Sequence, residues 1–344
     1  MNRPKEVRRS QGGVALIVTL VIITILVTLL VELTYSTQVN VRLAGTFKDA
    51  VQAHYIAKSG IELALAALEK DFLEDQQDTT QGKQTGPNDN LNELWAKLPD
   101  AIAAAEALQP DIFGDGRLIV QIIDEDRKIN ANLVKQEPIA SIMDRLFARA
   151  EIGPEFKSCL TDWIDEDQEE TQPGGAEGSY YEGLDSPYPC KDNPMDSISE
   201  LAMIKGGKEA MEKALDPFEG EVKKKRKWTL RDLLSAVPGR GPNINVNTAP
   251  GPVIQALHDD IDPVHMSEFI LDRASEPFPT VQAFRDYFLN TFGISGLPPN
   301  LTVQSEYFHI ESTGIVGKAE KMITAVVHRN PGNGFLEIVS WRTE

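Results

Sequence analysis

Hydrophobic residues first gather in one unbroken block: residues 14–31, VALIVTLVIITILVTLLV, hold no charge and only three threonines. Such a run is close to the minimum length for a helix crossing a hydrocarbon core of about 30 Å. The helical pattern then continues without a proline and with only Gly45 and Gly60 before Leu68. Apolar side chains recur every three or four positions through Val39, Leu43, Phe47, Val51, Tyr55, Ala57, Ile61, Leu65 and Leu68. This spacing predicts one helix over 14–70, its first half in lipid and its second half presenting a single apolar stripe for packing.

The period then changes repeatedly. Residues 75–92 are polar and read as a loop, and 93–108 as a short helix. RLIVQIID (117–124) alternates as a strand, and a polar turn before KINANLV predicts a hairpin ending near residue 134. Residues 139–160 look helical, 162–193 are acidic and rich in Gly and Pro, and short helices are expected at 197–204, 229–236, 250–258, 263–273 and 280–289. Alternation returns in LTVQSEYFHIEST, KMITAVVHR and GFLEIVSWR, which predict three antiparallel strands. The fold class is therefore α+β: a long N-terminal helix packed on an antiparallel sheet drawn from 117–134 and 301–342, with a large inserted α-helical domain. The divisions expected are a leader at 1–13, a transmembrane helix at 14–35, a first part of the sheet domain at 36–135, the insertion at 136–300 and the closing strands at 301–344.

Charge adds direction. Thirty-four Lys plus Arg against 52 Asp plus Glu give a net charge of −18, which disfavours nucleic acid and favours divalent cations. Arg3, Lys5, Arg8 and Arg9 precede the apolar block, placing the N-terminus in the cytoplasm and the bulk of the chain across the membrane. No small-residue cleavage site follows Val31, so the helix is expected to stay attached. Cys159 and Cys190 fall on the translocated side, where an oxidising compartment favours a disulfide; two buried thiols are the alternative.

Catalytic patterns are thin. The histidines at 54, 258, 265, 309 and 328 are scattered, with no HExxH, GxSxG or Walker A sequence, so an enzyme is not expected and a hydrolase built on the acidic loop is a minor alternative. VPGRGPNINVNTAPGPVIQAL looks similar to part of a helix-hairpin-helix unit, and the basic run Lys223–Lys227 suggests a second alternative, a membrane-anchored DNA-uptake factor. Acidity and location favour a packing motif there instead, with Asn245 and Asn247 bonding local backbone.

SQGGVALIVTLVIITILVTLL resembles a type IV pilin class III signal, with Gly13 and Val14 flanking the cut made by prepilin peptidase. The chain resembles, end to end, the minor pseudopilin K family of type II secretion systems, through IIDEDRKINANL, TDWIDEDQEETQPGGAEGSYY, PYPCKDNPMDSISEL and NINVNTAP. Val18 stands where most pilins carry the glutamate that pairs with a neighbouring subunit, a departure this family shares. The resemblance implies a pilin-like fold and a non-enzymatic subunit at the tip of a periplasmic pseudopilus that exports folded proteins. It implies processing by cleavage and methylation, a single-pass inner-membrane anchor, and partnership with pseudopilins I and J, for which the apolar stripe offers the physical route, helix against helix, through Val39, Leu43, Phe47, Val51 and Tyr55. It also implies calcium in the insertion, for which the expected ligands are Asp165, Asp167, Glu177, Asn193 and Glu200. No EF-hand spacing occurs in that loop, so a solvated acidic loop is the alternative, and Asp162 is equally suited to local pairing.

Overall fold

The computed structural model describes residues 12–80, 87–221 and 227–344; the leader up to residue 11 and basic-run positions 223–226 lie outside the described residues. Helix α1 spans Gly12–Thr80, ten residues beyond the expected end, because the polar stretch after Lys70 continues the helix before any loop begins. At 1.5 Å per residue, 69 residues reach about 100 Å. Every residue from Gly13 to Lys48 is exposed, including the whole apolar block. Its threonines turn inward: Thr19, Thr24 and Thr28 each donate to the carbonyl four residues earlier, at 2.8–3.0 Å, leaving no free hydroxyl toward lipid.

The second half of α1 lies across a four-stranded antiparallel sheet. Its strands are β1 (Gly116–Asp124), β2 (Tyr307–Val316), β3 (Ala319–Arg329) and β4 (Leu336–Thr343), adjacent in that order. Ala53, Ile56, Ala57, Ile61, Ala64 and Leu68 bury against Leu118, Val120, Phe308, Ile310, Ile323 and Val327. Small residues set the approach. A Cβ on Gly314 would lie 2.0 Å from the Ala53 carbonyl oxygen, and Ser312 Oγ donates to Ala57 O at 2.6 Å. The stripe read as one face is thus two: Ala57, Ile61 and Leu68 face the sheet, while Val39, Leu43, Phe47, Val51 and Tyr55 remain exposed.

The expected hairpin is replaced. Ile129–Asn130 pairs in parallel with Leu234–Ser235, and Ala131–Leu133 turns into a 3₁₀ helix. The reason is polar: Asn130 Oδ1 caps Asn132 N at 3.0 Å, and Asn130 Nδ2 donates to Arg240 O at 2.7 Å. The partner of β1 is β2, nearly two hundred residues later in the chain, with Asp124 opposite Phe308.

Between β1 and β2 the chain builds a second, separate core that begins at Ile129, ahead of the expected boundary at 136, and runs to Val303. Helix α2 (Leu98–Leu108) precedes β1, and the single helix expected at 139–160 is two, α3 (Ile139–Arg149) and α4 (Pro154–Ile164), because Gly153-Pro154 ends one segment and starts the next. Helices α5 (Pro263–Ser275) and α6 (Val281–Phe292) pack through Phe269, Phe284 and Phe288.

Candidate functional site

The acidic loop leaves the end of α4 and folds back on it. Asp162, fully buried, accepts from Thr171 N at 3.0 Å and Ala176 N at 2.7 Å, so one carboxylate staples the loop from both ends. The local-pairing role considered for it in the sequence is thus present. This fold-back brings Asp165 and Glu177 beside it, with carboxylate oxygens of all three within 4.8 Å of one another. Asp192, in the left-handed backbone region at φ 49°, and Cys190 approach Glu177 from the other side within the same span.

The buried oxygens here are short of partners. Neither Glu177 oxygen nor one oxygen each of Asp165 and Asp192 has a hydrogen bond, although Glu177 is only 2% exposed. Lys135 reaches Asp165 Oδ2 at 2.9 Å, and Gln168 donates to Asp192 Oδ2 at 3.0 Å. Burial, reinforced by Asp162, Asp165 and Asp192, pushes Glu177 up to about 7. Unpaired buried carboxylate oxygens are costly and call for a counter-charge. Hard oxygen donors in an irregular arrangement fit calcium better than an octahedral ion.

Of the ligands expected from sequence, Asp165 and Glu177 are therefore together, and three are placed elsewhere. Asp167 is exposed and accepts from Glu169 N at 2.9 Å. Asn193 points to solvent, with Nδ2 on Lys191 O at 3.5 Å. Glu200 closes a capping box with Ser197 and also takes Lys191 Nζ at 3.0 Å, which uses its oxygens. Sequence reasoning did not assign Asp192; the signal was its place two residues after Cys190, which anchors that strand of the loop.

The cysteines are free rather than bridged. Their sulfurs turn to different carbonyls, Cys159 to Gly174 O at 3.4 Å and Cys190 to Asp162 O at 3.6 Å, and burial pushes both thiols up, Cys190 to about 12.

A second polar site joins the insertion to the sheet. Asp124 accepts from Thr248 Oγ1 at 2.5 Å, Ser305 Oγ at 2.6 Å and Asn245 Nδ2 at 3.3 Å. Asp126 pairs with the buried Arg240 at 2.8 Å and also accepts from Glu306 N and Tyr307 N. Asn245 makes the expected local bond, its Oδ1 accepting from Asn247 N at 2.9 Å, and its Nδ2 also donates to Asp89 O, more than a hundred residues away, while Asn247 exchanges bonds with the backbone of Phe278. The segment with helix-hairpin-helix likeness packs the junction, and Lys227 of the basic run pairs with Asp216 at 3.1 Å.

A half-free N-terminal helix laid on an antiparallel sheet, interrupted once by a folded helical unit, defines a pilin-like subunit with an insertion. Two family models, both described as Type II secretion system (T2SS), protein K, match residues 116–218 and 244–311. The chain belongs to the type II secretion system protein K family, a structural component of that machinery. It is 25% identical to type II secretion system protein K of Aeromonas hydrophila, covering 94% of this chain and 95% of that protein. It is 23% identical to the Klebsiella pneumoniae protein of the same name, covering 90% of each. Its fold is similar to a chain in the crystal structure of the GspK-GspI-GspJ complex from enterotoxigenic Escherichia coli, with a TM-score of 0.62, 18% identity, and coverage of 89% and 99%.

Proposed function

We propose that this subunit sits at the tip of the type II secretion pseudopilus, joined to pseudopilins I and J, and helps assemble the filament that exports folded proteins. The observation that carries this reading is the α1 surface: the apolar block is long enough to cross a membrane, and Val39, Leu43, Phe47, Val51 and Tyr55 beyond it remain exposed. Phe47 is 71% exposed, an unusual position for a large aromatic ring in water. Neighbouring helices are its natural cover. The insertion, placed beside the sheet, would block addition of another subunit ahead. Prepilin peptidase would cut between Gly13 and Val14, with methylation following, and the bulk of the chain would lie in the periplasm.

The same reading includes calcium held by Asp165, Glu177 and Asp192, with Asp162 holding the loop in place and Lys135 steadying Asp165. When bound, the ion supplies the counter-charge these carboxylates need. Asp167, Asn193 and Glu200 are not part of this set.

Co-purification of the full-length chain with pseudopilins I and J from the same cell tests the proposal. A stable ternary complex, lost on replacing Phe47 and Tyr55 together by Asp while the chain remains folded, is the expected result. A complex indifferent to both substitutions would move the interface elsewhere.

A further inference from the structure

The molecule carries a second buried carboxyl cluster, away from the acidic loop, where α1, the segment 87–97 and β3 meet. Asp71 of α1, Asp89 and Glu93 place carboxyl oxygens within 4.8 Å of one another. Arg329 of β3 is their counter-charge: Nη1 donates to Asp71 at 3.0 Å, and Nη2 donates to Asp89 and to Ser305 O. Asp71, Asp89 and Arg329 are all buried. Glu93 accepts from Trp95 Nε1 at 2.7 Å and from the Asn90 backbone and side chain, so it is firmly placed.

One guanidinium faces three carboxyls. The oxygens of Asp71, Asp89 and Glu93 lie within 4.8 Å of one another, and like charges that close cannot all ionise around one cation, so a proton on one of them relieves the repulsion. The charged groups facing Glu93 are Asp71 from α1 and Asp89 from its own segment; Arg329 faces both of those, and Asp124 of β1 lies beyond Asp89. A dication is disfavoured, since the guanidinium already pairs with two of the three carboxyls. We propose that Glu93 holds a proton in the folded protein and acts as a proton-dependent latch, fastening the 87–97 segment to α1 and β3.

The latch has structural reach because that segment also touches the insertion. Asp89 N donates to Val303 O at 2.8 Å, Asn92 Nδ2 to Ala274 O at 3.0 Å, and Gln304 Nε2 to Pro87 O at 2.9 Å. The proton therefore bears on how firmly the insertion is held to the helix. Burial, then Asp71 and Asp89, hold Glu93 up to about 9 against an ordinary 4.5. Since the folded value is the higher, stability is complete below the unfolded value and is lost as pH rises through the folded one. Asp89, at about 6, and Asp124, at about 7, complete their change at lower pH.

The test is unfolding of the full-length chain in detergent between about pH 7.5 and 8.5, at fixed calcium, for the wild type and Glu93→Gln. The wild-type folded-to-unfolded ratio should fall about tenfold more per pH unit than that of the variant, one bound proton's worth. Infrared spectra should show a protonated carboxyl band at pH 7.5 that is absent in Glu93→Gln. If that variant folds poorly, Asp71→Asn, which removes a facing like charge, should shift the same band and slope to lower pH. Equal slopes in wild type and variant, or a wild type with no such band, would overturn the latch.

Discussion

Replacing Glu177 by Gln should change stability in opposite directions with and without calcium. In the cation-free chain Glu177 sits 2% exposed, with neither oxygen bonded and Asp162, Asp165 and Asp192 around it. Its carboxyl titrates at about 7 instead of 4.5, so stability is fully present below the unfolded value and is lost as pH rises through about 7. Above that, the ionised group costs about 3 kcal/mol. Gln removes the charge but leaves a buried amide to satisfy, at a cost of about 1–2 kcal/mol. In chelator at pH 8 the variant should therefore be more stable by about 1–2 kcal/mol, a rise of roughly 2–8 °C in melting temperature for a unit of this size. Calcium at a hundredfold excess over its dissociation constant should stabilise the wild type by about 2.7 kcal/mol, and the variant by clearly less because one ligand is gone. Paired thermal melts in calcium and in chelator are the assay, with magnesium as the comparison ion that should act weakly. The same calcium-induced shift in both proteins, or a variant less stable than wild type in chelator, would refute the reasoning.

Other outcomes follow from the packing and the junction. Gly314→Ala drives a Cβ into the α1 backbone at Ala53 and should destabilise by about 1–3 kcal/mol or more, whereas Gly45→Ala meets nothing within 4 Å and should gain up to about 1 kcal/mol of helix propensity; chemical denaturation of both measures the contrast. Arg240→Met leaves Asp126 buried without its cation and should cost about 3–5 kcal/mol, read as a lower denaturation midpoint that Asp126→Asn in the same chain partly restores. N-terminal sequencing of the protein from cells with active prepilin peptidase should begin at Val14, and an intact Met1 would remove the cleavage assignment.

The alternation of apolar residues made the sheet legible, because β2 and β3 each bury one face against α1 and leave the other half-buried. Most of α1 was legible from its apolar block and the three- and four-residue recurrence after it, but its last ten residues were not, because that polar stretch carries no apolar period. What the period could not show was which side of α1 meets its own sheet. Residues Val39 to Tyr55 recur at four-residue steps and so drift around the helix, and only the small residues Ala53, Ala57 and Gly60 mark the inner face. The hairpin expectation failed because IIDEDRKINANL carries its information in polar side chains. Asp124, Asp126 and Asn130 are buried with distant partners, which local propensity does not report. At the acidic loop, composition indicated the chemistry but not the allocation: Asp165 and Glu177 meet only because Asp162 folds the chain back, whereas Glu200 is taken up by a helix cap.

These buried polar residues also explain how so large a unit is carried without disturbing the sheet. The insertion leaves at Asp124 and returns at Tyr307, neighbouring positions on adjacent antiparallel strands, and Glu125 N donates to Tyr307 O at 2.8 Å to close the exit. An apolar junction would tolerate sliding; directional bonds do not. Asp126 reaches both the Arg240 guanidinium and the backbone of Glu306 and Tyr307, and Asn245 spans Asp89, Asp124 and Ser305, so the two cores are pinned by groups that cannot rotate independently. Leaving any one of them unpaired in this setting costs more than the bond itself contributes, which makes the orientation of the insertion relative to α1 a property of the fold.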